Sequence, residues 1–257
     1  MTQAVPVHFT GRFRKRPVAA PLGASFSHVW THRIPALAPP VVITPDATVD
    51  LQWMDGAFRI AGPDRDPLTE TVAPGTTVIG FRFSPAAAAA WLGVPLAELV
   101  GQRLALDDLW GRKARRLADA VRAQDDPRQL AASLETLLAR QTVMAPPDPA
   151  MQAAYRMIAR GVPVHMQLLP WLMRALGMSE RTLRRRFGES FGYGPRTLER
   201  ILRYQRFLRS LRAPTTATGA LAALALDAGY ADQAHLVRES RRLSGYTPGQ
   251  WQRLADR

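Results

Sequence analysis

The chain of 257 residues contains no cysteine. This absence excludes disulfide bonds, thiolate-bound zinc and cysteine nucleophiles. No apolar run reaches the roughly 18 residues that span a bilayer, so no membrane partner is predicted. The basic residues near the N-terminus follow an apolar stretch rather than precede it, which is not the pattern of a secretory signal. Together these absences predict a cytoplasmic protein.

Lysine is also scarce, because only Lys15 and Lys113 occur among the 34 basic residues. Acidic residues number 21, and the net charge is +13. The charge is uneven: residues 1–150 carry about +2 and residues 151–257 carry +11. A basic segment joined to a nearly neutral one predicts that the basic part binds a polyanion. The arginine excess favours planar, bidentate recognition of phosphates or guanines.

The segment APPDPA at residues 145–150 is too rich in proline for a helix or sheet interior and predicts a stiff linker. Short β-rich runs at 41–43, 49–53, 58–60 and 78–83 precede it, followed by helical periodicity over 85–100 and 113–140. We therefore predict an α+β chain: a small β unit plus helices, then an all-α domain. The predicted segments are an N-terminal domain at 1–140, a linker at 141–150 and a C-terminal domain at 151–257. Few contacts are expected to cross the linker.

An internal repeat with an offset of 53 residues runs through the C-terminal domain. The matching pairs are Leu183/Leu236, Arg185/Arg238, Gly192/Gly245, Tyr193/Tyr246 and Pro195/Pro248. A short apolar helix ending at a glycine precedes each copy, and a second helix follows the turn. This is the pattern of a helix-turn-helix, and it occurs twice.

The second helix of the first copy separates an apolar side from a basic side. Ser179 is a good N-cap, and Leu183, Phe187 and Phe191 recur at a spacing of four, as expected for a core stripe. A helical wheel places three arginines on the opposite face: Arg181, Arg184 and Arg185. A solvated charged face is the ordinary outcome of such a run. The repeat and the glycine turn favour major-groove binding, where arginine can donate two bonds to guanine.

The second copy has Asp232 as its predicted N-cap and Leu236 on its core side. Its outward residues are Gln233, His235 and Arg238. Glutamine suits adenine and arginine suits guanine, whereas a phosphate contact is an equally good prediction for the histidine. Residues 196–211 predict one continuous helix that fixes the spacing of the two units. The candidate phosphate contacts are Arg186, Arg196 and Arg200.

The segments GMSERTLRRRFGESFGYGP and LAALALDAGYADQAHLVRESRRLSGYTPGQW, with the joining helix through Arg203-Tyr204, resemble the DNA-binding domain of the AraC/XylS family of transcriptional regulators. The resemblance assigns base contact to the same six residues, with Ala234 as an apolar neighbour in the second unit. The chain departs from the family at Met173 and Phe207, where small residues are usual. Ser240 replaces a core phenylalanine, which predicts a loosened second unit unless Met173 or Phe207 refills the space.

The segments ITPDATVDLQW, GFRFSPAAAAAWLGVPLAEL and LDDLWG resemble an N-terminal domain of uncharacterised role found in other regulators of this family. The resemblance implies a small-molecule effector, a homodimer or both, and a contact with RNA polymerase if the protein is an activator. The candidate pocket residues are Trp30, Trp53, Phe81 and Trp91, for which ordinary core packing is the alternative. The pair His28 and His32 lacks a third metal ligand, and Asp46 and Asp50 flank a turn that they are expected to cap.

No phosphate-binding glycine loop, nucleophile elbow or zinc motif occurs in the sequence, so we predict no catalytic residue, metal or cofactor. The leading hypothesis is a sequence-specific, DNA-binding transcription regulator. Two alternatives remain: a DNA-modifying enzyme that carries such a module, and an architectural or RNA-binding protein without sequence preference.

Overall fold

The computed structural model describes residues 5–6, 12–36, 40–121, 124–141, 145–163, 165–212 and 221–255. Within these ranges, no helix combines the length and the apolar character needed to cross a membrane. The fold is a β-rich N-terminal region followed by a helical C-terminal region, as predicted.

The strands described in the N-terminal domain form two sheets. The strands are β1 (Val5–Pro6), β2 (Arg12–Pro17), β3 (Phe26–Arg33), β4 (Val41–Ile43), β5 (Asp50–Met54), β6 (Ala57–Ala61), β7 (Leu68–Glu70), β8 (Thr77–Phe83) and β9 (Arg103–Ala105). The larger sheet is antiparallel and has the order β2-β3-β8-β5-β6-β9, whereas β1, β4 and β7 form a three-stranded sheet. The four predicted β-rich runs correspond to β4, β5, β6 and β8. The predicted runs did not include β1, β2, β3, β7 and β9. Strand β2 was missed because it is an exposed basic edge strand without apolar alternation.

The two faces of the larger sheet differ because side chains alternate along each strand. Leu51, Ile79 and Phe81 face the buried apolar core of the domain. Helices α1 (Ala88–Leu92), α2 (Leu106–Trp110), α3 (Arg112–Asp119) and α4 (Pro127–Ala139) complete this layer. The predicted helical stretches 85–100 and 113–140 are therefore interrupted, the first of them at Gly93, which ends α1 in the left-handed conformation. The opposite face carries Trp30 and several polar side chains and borders the C-terminal domain.

The described part of the C-terminal region contains seven helices. They are α5 (Pro149–Arg160), α6 (Leu168–Leu176), α7 (Glu180–Phe191), α8 (Pro195–Arg212), α9 (Leu221–Asp227), α10 (Gln233–Ser244) and α11 (Pro248–Ala255). The predicted caps are present, since Ser179 accepts from the Thr182 N–H and Asp232 from the His235 N–H. Helix α8 is continuous, as predicted. Its first half belongs to the first unit, with α5–α7, and its second half belongs to the second unit, with α9–α11.

The helix α5 begins inside the predicted linker. Asp148 caps it by accepting from the N–H groups of Ala150 and Met151, and Pro149 takes the first helical position. Proline is tolerated there because that N–H has no partner within the helix. The last residues of the proline-rich segment therefore form the first turn of a helix rather than an extended spacer.

The two domains pack directly against each other, and the prediction of few contacts across the linker is wrong. Gly192, which ends α7 at φ +84°, lies against the N-terminal domain so closely that a Cβ atom would stand 2.7 Å from Val100 and 2.8 Å from Pro63. The Gln205 side chain of α8 donates to the Pro45 carbonyl at 2.7 Å. A proline-rich linker thus joins domains that share an interface.

Candidate functional site

The basic face of α7 is exposed, as the helical wheel predicts. Leu183 and Phe187 are fully buried. Arg181 is exposed, and the side chains of Arg184 and Arg185 are 53% and 63% exposed. The last two pair with acidic residues one turn away, at Glu180 and Glu189. Such exposed pairs are worth little and are easily exchanged for a DNA partner.

The residues of helix α10 that are predicted to contact bases differ in their exposure to solvent. Gln233, Ala234 and Arg238 are exposed. His235 is half-buried, and its ring meets Tyr230 edge-on with centroids 5.2 Å apart. The repeat-equivalent Arg185 and Arg238 therefore both lie on solvent-facing sides of their helices.

The three predicted phosphate contacts fall in different environments. Arg196, at the start of α8, is exposed. Arg186 instead donates to Asp148 through its Nε atom at 2.8 Å and also through Nη2. Burial acts against the charge of Asp148, but the hydrogen bonds from Arg186 outweigh it, and the pKa of Asp148 is lowered. Arg200 is only 17% exposed and lies 3.9 Å from Glu239.

Ser240 does not leave a void in the second unit. The residue is fully buried, and its hydroxyl lies 3.0 Å from the hydroxyl of Tyr204. The large buried side chains that occupy this region are Tyr204 and Trp251, neither of which was proposed from the sequence. Met173 is only partly buried, and although Phe207 is fully buried, the polar groups beside Ser240 are the Tyr204 hydroxyl and the Tyr246 carbonyl, to which Ser240 donates at 2.6 Å. The expectation that Met173 or Phe207 compensates for Ser240 is therefore replaced by a hydrogen-bonded arrangement.

The four aromatic residues predicted for a pocket separate into two groups. Trp53, Phe81 and Trp91 belong to the apolar core of the N-terminal domain, which is the alternative interpretation. Trp30 lies on the other face of the sheet, stacked with Phe13 at a centroid distance of 5.6 Å. The indole covers Gly80, where a Cβ atom would lie 2.1 Å from the ring, so only glycine leaves room for it.

Trp30 lines a cavity of about 450 Å³ between the sheet and helices α5 and α8. Phe13 and Trp30 form an aromatic wall on the N-terminal side, and Leu202 and Leu208 of α8 lie on the other. The Nε1 atom of Trp30 is buried without a hydrogen-bond partner. Both domains thus contribute to one cavity that combines an apolar wall with polar and charged side chains.

The charged residues of the cavity include two carboxylates that were expected only to cap a turn. Asp46 does accept from the Thr48 N–H, but Asp46 and Asp50 also hold Arg82, at 3.1 and 2.9 Å. Burial disfavours the charge of Arg82, yet the two carboxylates outweigh burial and raise its pKa. Arg82 is therefore neutralised by its own neighbours.

His28 and His32 also border this cavity, on strand β3. Burial, assisted by the charge of Arg82, lowers the pKa of His28. In the part of the chain that the structure describes, no group of three or more histidine or acidic residues is placed to hold a metal ion.

Three cations at the cavity were missed at the level of sequence: Lys15 from β2, and Arg209 and Arg212 from α8. None of them forms an ion pair with a described residue. Only the tertiary structure brings them together, since some 190 positions separate Lys15 from the two arginines. The one available signal was Lys15 itself, an isolated lysine in an arginine-rich chain.

Two family models match the chain. Residues 172–254 match the model described as a helix-turn-helix domain, and residues 15–105 match a domain of unknown function, DUF6597. No curated protein matches the chain.

Solved structures of ToxT from Vibrio cholerae are similar over the length of the chain. For ToxT from strain O395, the identity is 10%, the coverage 95% of this chain and 98% of that chain, and the TM-score 0.49. For ToxT bound to (E)-4-(8-methylnaphthalen-1-yl)but-3-enoic acid, the identity is 10%, the coverage 95% and 98%, and the TM-score 0.44.

The family matches agree in position with the two regions of the fold. The helix-turn-helix match covers both units and the helix α8 that joins them, and the other match covers most of the larger sheet. With two repeated units, each exposing a polar or basic helix face, the chain is a DNA-binding transcription regulator with a C-terminal helix-turn-helix domain of the AraC type and an N-terminal DUF6597 domain.

Proposed function

We propose that this regulator reads a two-part DNA site with α7 and α10 in neighbouring major grooves. Base contacts are assigned to Arg181, Arg184 and Arg185 in the first unit and to Gln233, His235 and Arg238 in the second. Arginine at these positions selects guanine, and glutamine selects adenine. The phosphate contact is assigned to Arg196, because Arg186 and Arg200 already have protein partners.

This proposal rests on one observation. Arg185 and Arg238 occupy equivalent positions in the repeat, both are exposed, and a continuous helix connects the two units that carry them. Helix α8 runs for 18 residues without interruption between α7 and the second unit. A helix of that length is about 27 Å long. A rigid connector of this size suits two recognition helices that enter grooves about one DNA turn, or ~34 Å, apart.

Selection from a random duplex library tests the proposal. The full chain is expected to enrich a motif with two parts about 10 base pairs apart, the first rich in guanine. The control is the chain with Arg185→Ala and Arg238→Ala, which should bind DNA without enriching the motif. An architectural protein would enrich no motif at all, and that result would refute the proposal.

The other partners follow from this role. We propose that the DNA-binding domain begins with α5, that the protein works in the cytoplasm with DNA, and that it performs no catalysis. Homodimerisation and contact with RNA polymerase remain predictions, as do the exact domain boundaries.

We further propose that the interdomain cavity holds the effector, and that the effector is a small organic anion with a flat apolar body. The aromatic wall of Phe13 and Trp30 suits such a body. Four cationic side chains and two carboxylates border the cavity. Both carboxylates form ion pairs with Arg82, which is one of the four cations. Arg212 lies over the ring of Trp251, so Lys15 and Arg209 are left to attract a negative charge.

A thermal-shift comparison of 2-naphthoate with its neutral amide tests the effector proposal. The carboxylate should raise the melting temperature more than the amide, because a ligand of the folded state stabilises it by mass action. Lys15→Gln and Arg209→Gln should reduce this difference. Lys113→Gln is the matched control, because Lys113 lies over Trp110 outside the cavity. Equal shifts for the acid and the amide would contradict the proposed anion.

A further inference from the structure

The cores of the two helix-turn-helix units differ in which helices carry the large side chains. At the offset of 53 residues, the fully buried Phe187 and largely buried Phe191 of α7 correspond to Ser240 and Ser244 of α10. Two large apolar side chains of the first unit are thus two small polar side chains in the second. All four positions are at most 4% exposed.

The surrounding helices show the reverse exchange. Met151 of α5 corresponds to Tyr204 of α8, and Leu198 of α8 corresponds to Trp251 of α11. These four residues are also at most 1% exposed. Where the first unit has aliphatic neighbours around two phenylalanines, the second has two large aromatic residues around two serines. Volume is therefore exchanged across the helix interface rather than lost.

The exchange converts an apolar contact into a hydrogen-bond network. The Tyr204 hydroxyl donates to Ser244 Oγ at 3.0 Å, and Trp251 Nε1 donates to the same oxygen at 3.1 Å. The Ser240 hydroxyl donates to the Tyr246 carbonyl at 2.6 Å, and Ser244 donates to the Ser240 carbonyl at 2.7 Å. The network joins α8, α10 and α11 in one buried cluster.

Hydrogen bonds are directional, whereas contacts between apolar side chains allow sliding and rotation. An ion pair also joins each of the two helices α7 and α10 to a neighbour, and the charges are reversed between the two units. In the first unit Arg186 of α7 pairs with Asp148 before α5, and in the second the equivalent Glu239 of α10 lies by Arg200 of α8.

We propose that Tyr204, Ser240, Ser244 and Trp251 are positioning residues that set the orientation of α10, and hence of Arg238, relative to α7. The inference rests on the proposed reading of DNA by both helices. It assigns specificity in the second half of the site to residues that do not touch DNA.

The test measures base discrimination by Tyr204→Phe on the duplex selected by the unaltered chain. Arg238→Ala first identifies the base pairs that α10 reads. Tyr204→Phe should then reduce discrimination at those base pairs about tenfold, as expected for the loss of a buried hydroxyl partner, and leave the first half-site unchanged. Met151→Leu, a volume-conserving change at the equivalent position, is the matched control and should alter neither half.

Two further variants separate positioning from general loosening. Ser244→Ala combined with Tyr204→Phe should reduce discrimination less than the sum of the two single changes, because both remove the hydrogen bond from the Tyr204 hydroxyl to Ser244. The fourfold change Tyr204→Met, Trp251→Leu, Ser240→Phe and Ser244→Phe gives the second unit the apolar core of the first. This variant should fold but lose discrimination in the second half-site, because the directional hydrogen bonds are gone, and full discrimination by it would refute the positioning role.

The outcomes distinguish this inference from the proposed function. If the unaltered chain selects no motif, the proposed DNA reading fails. If it selects a two-part motif and Tyr204→Phe leaves both halves unchanged, or weakens both equally, the positioning role alone is refuted.

Discussion

Replacing Arg185 by alanine is expected to lower affinity for the selected duplex about tenfold or more, and to relax base preference at one position only. The exposed guanidinium now pairs with Glu189, and this weak pair is exchanged for a guanine on binding. A bidentate contact contributes roughly 1–3 kcal/mol of discrimination at one base pair. Arg238→Ala should have the corresponding effect about one helical turn away. Binding series on single-base variants of the duplex measure both effects.

Arg196→Ala is the matched control for Arg185→Ala, because it also removes one exposed arginine of the same domain. A phosphate contact carries no sequence information, so Arg196→Ala should weaken all duplexes alike and reduce the salt dependence of binding by about one ion. If Arg185→Ala also weakens specific and random duplexes equally, its role is electrostatic and the assignment of α7 as a base reader is wrong.

Gly192→Ala is expected to lower the melting temperature of the full chain at least twice as much as Gly245→Ala. Both glycines end a recognition helix in the left-handed conformation, at φ +84° and +76°, where a side chain costs roughly 1–2 kcal/mol. At Gly192 the added Cβ atom also collides with Val100 and Pro63, and overpacking adds about 1–3 kcal/mol. No atom of a described residue lies within 4 Å of the Cβ position at Gly245.

Because the backbone strain is common to both substitutions, their difference reports the packing of α7 against the N-terminal domain. Circular dichroism melts of the two variants and the unaltered chain give the comparison. Equal decreases in melting temperature would show that the interdomain contact at Gly192 contributes nothing to stability.

The helix-turn-helix units were predictable because their signals are local. The caps Ser179 and Asp232, the apolar spacing of α7 and the repeat of 53 residues all lie within short windows, and the structure confirms them. Strands β2 and β3 were harder to predict because burial along them depends on what the rest of the chain places against each face. The helical stretch 113–140 was overextended because the periodicity does not reveal the break that follows Asp119.

The functional residues divide in the same way. The exposed arginines of α7 follow from helical geometry alone, whereas the cavity needs Lys15 and Arg209, which only the tertiary structure brings together. Ser240 shows the limit most clearly: the sequence identifies it as a departure from the family, but its partner Tyr204 lies 36 positions away on a helix that appeared to be only a connector.

The opposite cores of the two units also guard the chain against incorrect assembly. Tandem units of similar sequence can exchange helices during folding. If α7 took the place of α10, Phe187 and Phe191 would collide with Tyr204 and Trp251. In the reverse exchange, the small serines of α10 would face Met151 and Leu198 and leave a cavity where Phe187 and Phe191 now pack, which costs free energy in a core. Each helix therefore fits only its own unit, and a register error of one repeat is penalised in both directions.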